Sequence, residues 1–480
     1  MTRTAPHGWP RAVARTLVLA AVLAVAALTA LTLPHPAAAS HSQPTIFDAP
    51  RELRSDDPAV RTGTLDDISD LGADWVRVVV SWHSVAPHPG RKHRPSFREE
   101  DPAAYDWHVY DRIVAEARAR GLKVLMTPSS PVPRWATLGS RSTTRFPSAT
   151  RFGRFVRALG SHYRTQVANW SVWNEPNLST FLGPQFRGGK PYSPSLYRRL
   201  YQAASGALKA SGNGHDRVLI GETSPRARKG KAIAPLAFLR GTLCLNGKYH
   251  KRRSCKKLDA DGWAHHPYTT GSGPYWQPPN RDDVSIGALH RMTSALYKAG
   301  RAGALERGAG LWLTEFGVQS HPDPYVGVSQ QRQSEWRSIG EWIAYGTSRV
   351  KGFSQYLMRD DLPRSKGARY AGFESGLRGS KGNRKAAFKG FRLPLVADRA
   401  STHRVTLWGL VRQANGRTRV TLRYRNRGQS RWRTLERVRT DGRGVFDVRT
   451  TYRSGRTYLL SWTAPGGKRY SGSTTRVTRR

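Results

Sequence analysis

Between residues 45 and 360, short apolar runs rich in β-branched residues alternate with stretches of helical period. TIFDAP opens at Thr45, DWVRVVVSW covers Asp74–Trp82, and LKVLMTP follows Gly121 directly. VANWSVWNEPN, RVLIGETSP, DADGWAHHPY, LWLTEFG and VKGFSQYLM are five more such runs. Between them lie amphipathic segments such as AYDWHVYDRIVAEARARG, RFGRFVRALGSHYR, SPSLYRRLYQAASGALKASG and VSIGALHRMTSALYKAG. Ser-Pro start signals and glycine stops bound several of them. Strands alternating with helices predict a parallel sheet. Eight such units over roughly 350 residues predict a closed (β/α)8 barrel. A doubly wound open sheet is the alternative, but the first strand-to-helix turn lacks a glycine-rich phosphate loop.

From Asp398 the period changes. RVTLWGLV, RTRVTLRYRNR, RWRTLERVRTD, GVFDVRTTY and RTYLLSWTA alternate with period two and are separated by NG, DG and SG turns. A small all-β, sandwich-like domain is predicted over 398–480, after a barrel over 40–397.

Residues 1–39 read as a signal peptide. Arg3, Arg11 and Arg15 precede an apolar run from Leu17 to Leu33, and Ala37-Ala38-Ala39 supplies a small-residue cleavage site. The run sits at the short edge of what spans a bilayer. A secreted or envelope-associated protein, with no membrane insertion after cleavage, is the expectation. In that setting Cys244 and Cys255, which bracket LNGKYHKRRS, predict a local disulfide.

The formal charge of +46 draws the chain towards polyanions. The predicted β domain is dense in it, with 21 Lys and Arg against 4 Asp and Glu. For an exported chain without a nucleic-acid-binding motif, an anionic cell-envelope polymer is the expected partner and nucleic acid is not. An Arg-rich surface without a dedicated partner is the plain alternative.

In a barrel the reacting groups stand at the C-terminal ends of the strands. Strand two carries Arg77 and then Ser81-Trp82-His83; strand three leads into PSSPVPRW, with Trp135; strand four ends in Asn174 and Glu175. Strand five ends in Glu222, read as a core hydrogen-bond acceptor. Strand six leads into His265, His266 and Tyr268, strand seven into Glu315, and strand eight into Gln355 and Tyr356. Two acids at two strand ends, among polar and aromatic groups, suit glycoside cleavage. One carboxylic acid protonates the departing oxygen while a carboxylate attacks or stabilises the anomeric carbon. A metal needs a third ligand, and none stands at useful spacing from His265 and His266. No cofactor is expected.

With WNEP after one strand and TEFG after a later one, the stretch from Thr45 to Leu395 resembles the clan A glycoside hydrolases, in a layout similar to families 5, 39 and 42. The resemblance implies retaining chemistry on a (β/α)8 barrel. It implies Glu175 as acid/base and Glu315 as nucleophile. Asn174 would hold the sugar 2-hydroxyl, Arg77 would keep the nucleophile ionised, and His266 and Tyr268 would stand beside it. Many members end strand eight in a tryptophan platform; here Gln355 and Tyr356 take that place, so Trp82, Trp135 and Trp276 are the alternative platforms. The expected activity is hydrolysis of a β-linked oligo- or polysaccharide. The competing readings are a non-hydrolytic glycan- or wall-binding protein and a transglycosylase on the same fold.

Overall fold

A computed structural model describes residues 43–362, 372–414 and 416–478. The predicted signal peptide lies outside the described residues.

Eight parallel strands close into a barrel: β1 (Thr45–Asp48), β2 (Trp75–Ser81), β3 (Lys123–Ser129), β4 (Asn169–Val172), β5 (Arg217–Thr223), β6 (Gly262–His265), β7 (Gly310–Leu313) and β8 (Val350–Tyr356). Each pairs with its sequence neighbours, and β8 returns to β1 with Asp48 opposite Tyr356. A helix follows every strand: α1 (Pro58–Asp70), α2 (His108–Ala119), α3 (Ala149–His162), α4 (Ser193–Ala210), α5 (Pro235–Thr242), α6 (Leu289–Arg301), α7 (Gln330–Tyr345) and α8 (Ala386–Arg392). Side-chain caps set several starts. Asp57 accepts from the Ala59 amide, Ser148 from Arg151 and Ser329 from Arg332. The barrel thus has the predicted order.

Strand alternation sorts the barrel into layers. Val76, Val78 and Val80 of β2 and Val124 and Met126 of β3 face the helices and join the main core. The opposite set, Ile46, Trp75, Leu125, Leu219, Ala264 and Trp312, forms a separate apolar cluster inside the lower barrel. Trp75 stacks on Trp312 at 5.3 Å, and the Arg217 guanidinium caps both rings. Room for Trp312 comes from glycine: a Cβ on Gly262 or Gly352 would lie 2.7 Å from its ring. Two residues further along the same strands the inward positions become polar: Asp48, Arg77, Thr127 and His266. The change from an apolar floor to a charged layer creates the site.

The second sheet begins at Leu395, three residues before the expected boundary. It comprises β9 (Leu395–Asp398), β10 (Arg404–Leu410), β11 (Arg419–Arg425), β12 (Arg433–Arg439), β13 (Val445–Thr451), β14 (Thr457–Thr463), β15 (Arg469–Ser471) and β16 (Thr475–Thr478). β16 pairs with both β9 and β14 and so joins two halves, β9-β10-β13 and β11-β12-β14-β15. Val405, Leu407, Val420, Leu422, Phe446, Tyr458, Leu460 and Trp462 fill the core between them, which is a β sandwich. The sandwich rests on α7. Ile339 packs with Val396, Trp408 and Val445. Arg412 donates to both oxygens of Glu341 at 2.8 Å, and Arg337 pairs with the same carboxylate. All three charged side chains are buried, so each relies on the others for the solvation it has lost. Trp408 and Trp462 are core residues, the commoner use of tryptophan.

Candidate active site

The charged layer is organised by Arg77. It is 1% exposed and is held by three carboxylates at once. Its Nη1 donates to Glu315 Oε1 at 2.7 Å and also pairs with Asp48; its Nε donates to Glu222 Oε1 at 3.1 Å, and Nη2 bonds Glu222 Oε2. Nη2 also donates to Asn174 Oδ1 at 2.7 Å. That bond fixes the Asn174 amide, whose carbonyl faces Arg77 and whose Nδ2 is left to donate elsewhere. One guanidinium therefore aligns groups from β1, from the ends of β4 and β5, and from the end of β7.

The strand ends are sharply turned. Trp173, Glu175 and Glu222 have φ of 71°, 39° and 49°, in the left-handed region non-glycine residues seldom adopt. The Glu175 amide donates to the Glu222 carbonyl at 3.0 Å, and the Asn174 amide to Ser129 Oγ at 3.0 Å. Trp173 packs outward, fully buried against Phe152. The strain lets Asn174 and Glu175 both leave β4 towards the barrel mouth.

His266 and Tyr268 complete the arrangement. His266 Nδ1 lies 3.1 Å from Glu175 Oε1 and 3.5 Å from Glu315 Oε2. The two carboxylates are thus linked through a single nitrogen, and these oxygens are closer to each other than twice 3.5 Å. Tyr268 donates its hydroxyl to Glu315 Oε2 at 2.8 Å. His266 Nε2 is buried with no hydrogen-bond partner among the described residues. His265 faces the other way, bonded to Thr223 and to the Val284 carbonyl.

These contacts separate the two acids electrically. Burial pushes Glu175 up, and the bond from His266 offsets only part of that. Burial also acts to raise Glu315, but His266, Arg77 and the Tyr268 hydroxyl outweigh it and hold the group below the usual carboxylate range. One carboxyl is inclined to keep its proton and the other to lose it, the division acid-base chemistry needs. Asp48, which faces Arg77 together with two other carboxylates, is pushed up to about 6, mostly by burial. Burial opposes charge on His266, yet Glu315 and Glu175 raise it overall.

Glu175, Glu315, Arg77, Asn174, His266 and Tyr268 therefore meet as the sequence predicts. Two expected contributors do not. Gln355 points outward from β8, because Ser354 and Tyr356 take the inward positions. Its amide donates to the Tyr356 and Ser375 carbonyls at 2.8 and 3.0 Å, and its oxygen accepts from Arg337. Trp135 is 4% exposed, edge-on to Trp82 and Phe97, with Nε1 donating to the Pro87 carbonyl. Both are packing residues, and so is the fully buried Trp82. Trp276 is half-buried beneath Arg226.

The aromatic wall beside Glu315 is instead Tyr268, Tyr356 and Phe373, with ring centroids 5.2–6.2 Å apart. Asp48 and Phe373 escape a reading based on strand-end motifs. Asp48 had a signal, two positions beyond the inward Ile46; Phe373 had none, lying 17 residues after β8. Glu222 is the buried acceptor expected. Cys244 and Cys255 are disulfide-bonded, and they close a basic loop away from this layer. Among the described residues, no group of three or more His, Cys, Asp or Glu side chains is arranged to hold a metal ion.

The fold, a closed eight-stranded (β/α) barrel followed by a β sandwich, is shared with solved glycoside hydrolases. A family 39 glycoside hydrolase from Bacteroides cellulosilyticus WH2 superposes with a TM-score of 0.50 at 16% identity, over 86% of this chain and 80% of that one. A glucosidase from Croceicoccus marinus superposes with a TM-score of 0.52 at 14% identity, over 93% and 98%. At these identities the likeness is one of fold. No sequence-family model matches the chain, and no curated protein does.

Proposed function

We propose that the protein is an exported, retaining glycosidase that hydrolyses O-glycosidic bonds of a β-linked glycan. The observation that carries this reading is the shared contact of His266 with Glu175 and Glu315, two carboxyls whose surroundings drive their proton affinities apart. Carboxyls about 5–5.5 Å apart suit retention, and a single nitrogen in reach of both is compatible with that separation. In the first step Glu315 attacks the anomeric carbon. The bond to the leaving oxygen breaks, and Glu175 gives that oxygen its proton. Water then attacks the same carbon, Glu175 takes the water's proton, and the ester to Glu315 is cleaved. Two inversions leave the configuration unchanged. Asn174 Nδ2 donates to the sugar 2-hydroxyl, and the Tyr268–Tyr356–Phe373 wall lines the subsite. The basic sandwich holds the enzyme on an anionic envelope polymer.

The test is a panel of aryl β-glycosides and polysaccharides with the wild type beside Glu175→Ala and Glu315→Gln. Hydrolysis by the wild type alone, with the newly released sugar still β by proton NMR, is the expected result. An α product overturns retention. Turnover that survives Glu315→Gln overturns the site, and inactivity on the whole panel favours the non-hydrolytic glycan-binding reading.

A further inference from the structure

One outer face of the sandwich carries a row of arginines. In β11, Val420 and Leu422 point into the core, so Arg419, Thr421, Arg423 and Arg425 point out. On the neighbouring strand β12, Arg437 sits opposite Thr421 and Arg439 opposite Arg419. On the other side, Ser461 of β14 is opposite Thr421, and Arg469 of β15 is opposite Thr463. A shallow groove runs across this outer face. Its lining includes Arg419, Arg423, Arg437 and Arg469 together with Thr421 and Ser461, and no acidic residue.

Several arginines elsewhere in the protein are paired with acids. Arg240 grips Asp282 at 2.9 and 2.6 Å, and Arg378 grips Asp67 at 2.8 and 2.9 Å. The four groove arginines form no ion pair and no side-chain hydrogen bond among the described residues. Arg423 Nε is buried without a partner among these residues. Arg419 and Arg439 face each other directly, a like-charge cross-strand pair that costs up to ~1 kcal/mol. No described residue compensates this arrangement; an anion laid along the groove would.

We propose that this groove is a binding site for an acidic glycan, an extended chain bearing carboxylate or sulfate groups. Arg419 and Arg423 lie about 14 Å apart along β11 at ~3.4 Å per residue. Arg437 falls between them one strand away. That spacing suits several charges of an extended polymer rather than one compact ion. The threonine and serine hydroxyls between the arginines match sugar hydroxyls. Nucleic acid fits less well, because none of the groove's lining residues offers an aromatic face to a base. Trp462 lines the groove, but its ring is turned inward: it is 4% exposed, stacked on Tyr470, with Nε1 bonded to Thr418. The choice of a glycan rests on the reading of the barrel as a glycosidase. The binding test below needs no turnover, so an inactive barrel leaves it standing.

The full chain is titrated against polygalacturonate, dextran sulfate, neutral dextran and an oligodeoxythymidylate over a range of salt. Binding to at least one acidic glycan, with none to neutral dextran, is expected; the two acidic polymers separate carboxylate from sulfate recognition. Arg419→Ser/Arg423→Ser/Arg437→Ser weakens that binding about tenfold or more and lowers the log–log salt slope by about 2–3, one counterion per lost contact. The charge-matched control Arg91→Ser/Lys92→Ser/Arg253→Ser stays within about twofold. Melting temperature confirms that each variant is folded, and Arg423→Gln alone, expected to weaken binding about threefold, serves if the triple variant is not. Equal losses in the two triple variants, or no loss in the groove variants, overturn the proposal. So does an oligodeoxythymidylate that binds as tightly as the acidic glycans at equal charge.

Discussion

The Arg77 guanidinium donates to Glu315 Oε1 at 2.7 Å while bonding Glu222 and Asp48. Three carboxylates around one cation leave an excess of negative charge in a dry layer. The excess falls on Asp48, whose pKa is pushed up to about 6, first by burial and then by Glu315 and Glu222, against Arg77. A carboxyl whose folded pKa lies above its unfolded value stabilises the fold below the unfolded pKa, and that contribution is lost as pH rises to the folded one. Replacement by a neutral isostere removes this dependence. In Asp48→Asn, the melting temperature measured from pH 4 to pH 7 should fall less steeply with rising pH than in the wild type. The difference is worth about 3 kcal/mol.

His266 acts on the Glu175 and Glu315 carboxyls in the same direction. Its bond to Glu175 and its charge beside Glu315 lower both. The proposed mechanism requires Glu315 ionised and Glu175 protonated. Removing His266 raises both groups, so the acid limb and the alkaline limb of the kcat/KM profile should both move to higher pH in His266→Ala. A loss of rate with unmoved limbs would reduce His266 to a packing residue. The accompanying fall in kcat is on the order of 10²–10⁴, the range for disturbed acid-base catalysis.

Trp135 is packed among Trp82, Phe97 and the Arg151 guanidinium rather than set out as a platform. Trp135→Ala should therefore lower stability by about 3–5 kcal/mol in chemical denaturation. KM for a small glycoside should remain close to wild type. Phe373→Ala should give the opposite pattern, a raised KM with little change in stability, because Phe373 is 38% exposed and stands against Tyr268 and Tyr356.

Glu341 joins the barrel to the sandwich. Both Arg337 and Arg412 depend on it, and all three are buried. Glu341→Ala leaves two cations without a counter-charge and should cost about 3–5 kcal/mol. Denaturation of this variant should show the sandwich and barrel unfolding in separate steps, where the wild type unfolds in one.

The sequence by itself determined the architecture and singled out the two acids proposed as the reacting pair. Strand and helix periods are local properties of the chain, so eight β/α units and the change of texture near 398 could be counted from apolar spacing. Asn174, Glu175 and Glu315 were legible because each directly follows an apolar strand, and in a barrel a strand end is already a place in the site. Only the tertiary structure decided which neighbours the acids meet. Gln355 and Tyr356 are adjacent in sequence, and a single step of the pleat turns one into the wall behind α7 and the other into the mouth. Asp48 and Phe373 lie 325 residues apart in the numbering and enter one constellation through barrel closure and a returning loop. Arg77 looked like the partner of one carboxylate and proved to be shared by three. Charge sharing depends on distances across the barrel, and those are set when β1, β2, β5 and β7 close around a common axis, not by spacing along the chain.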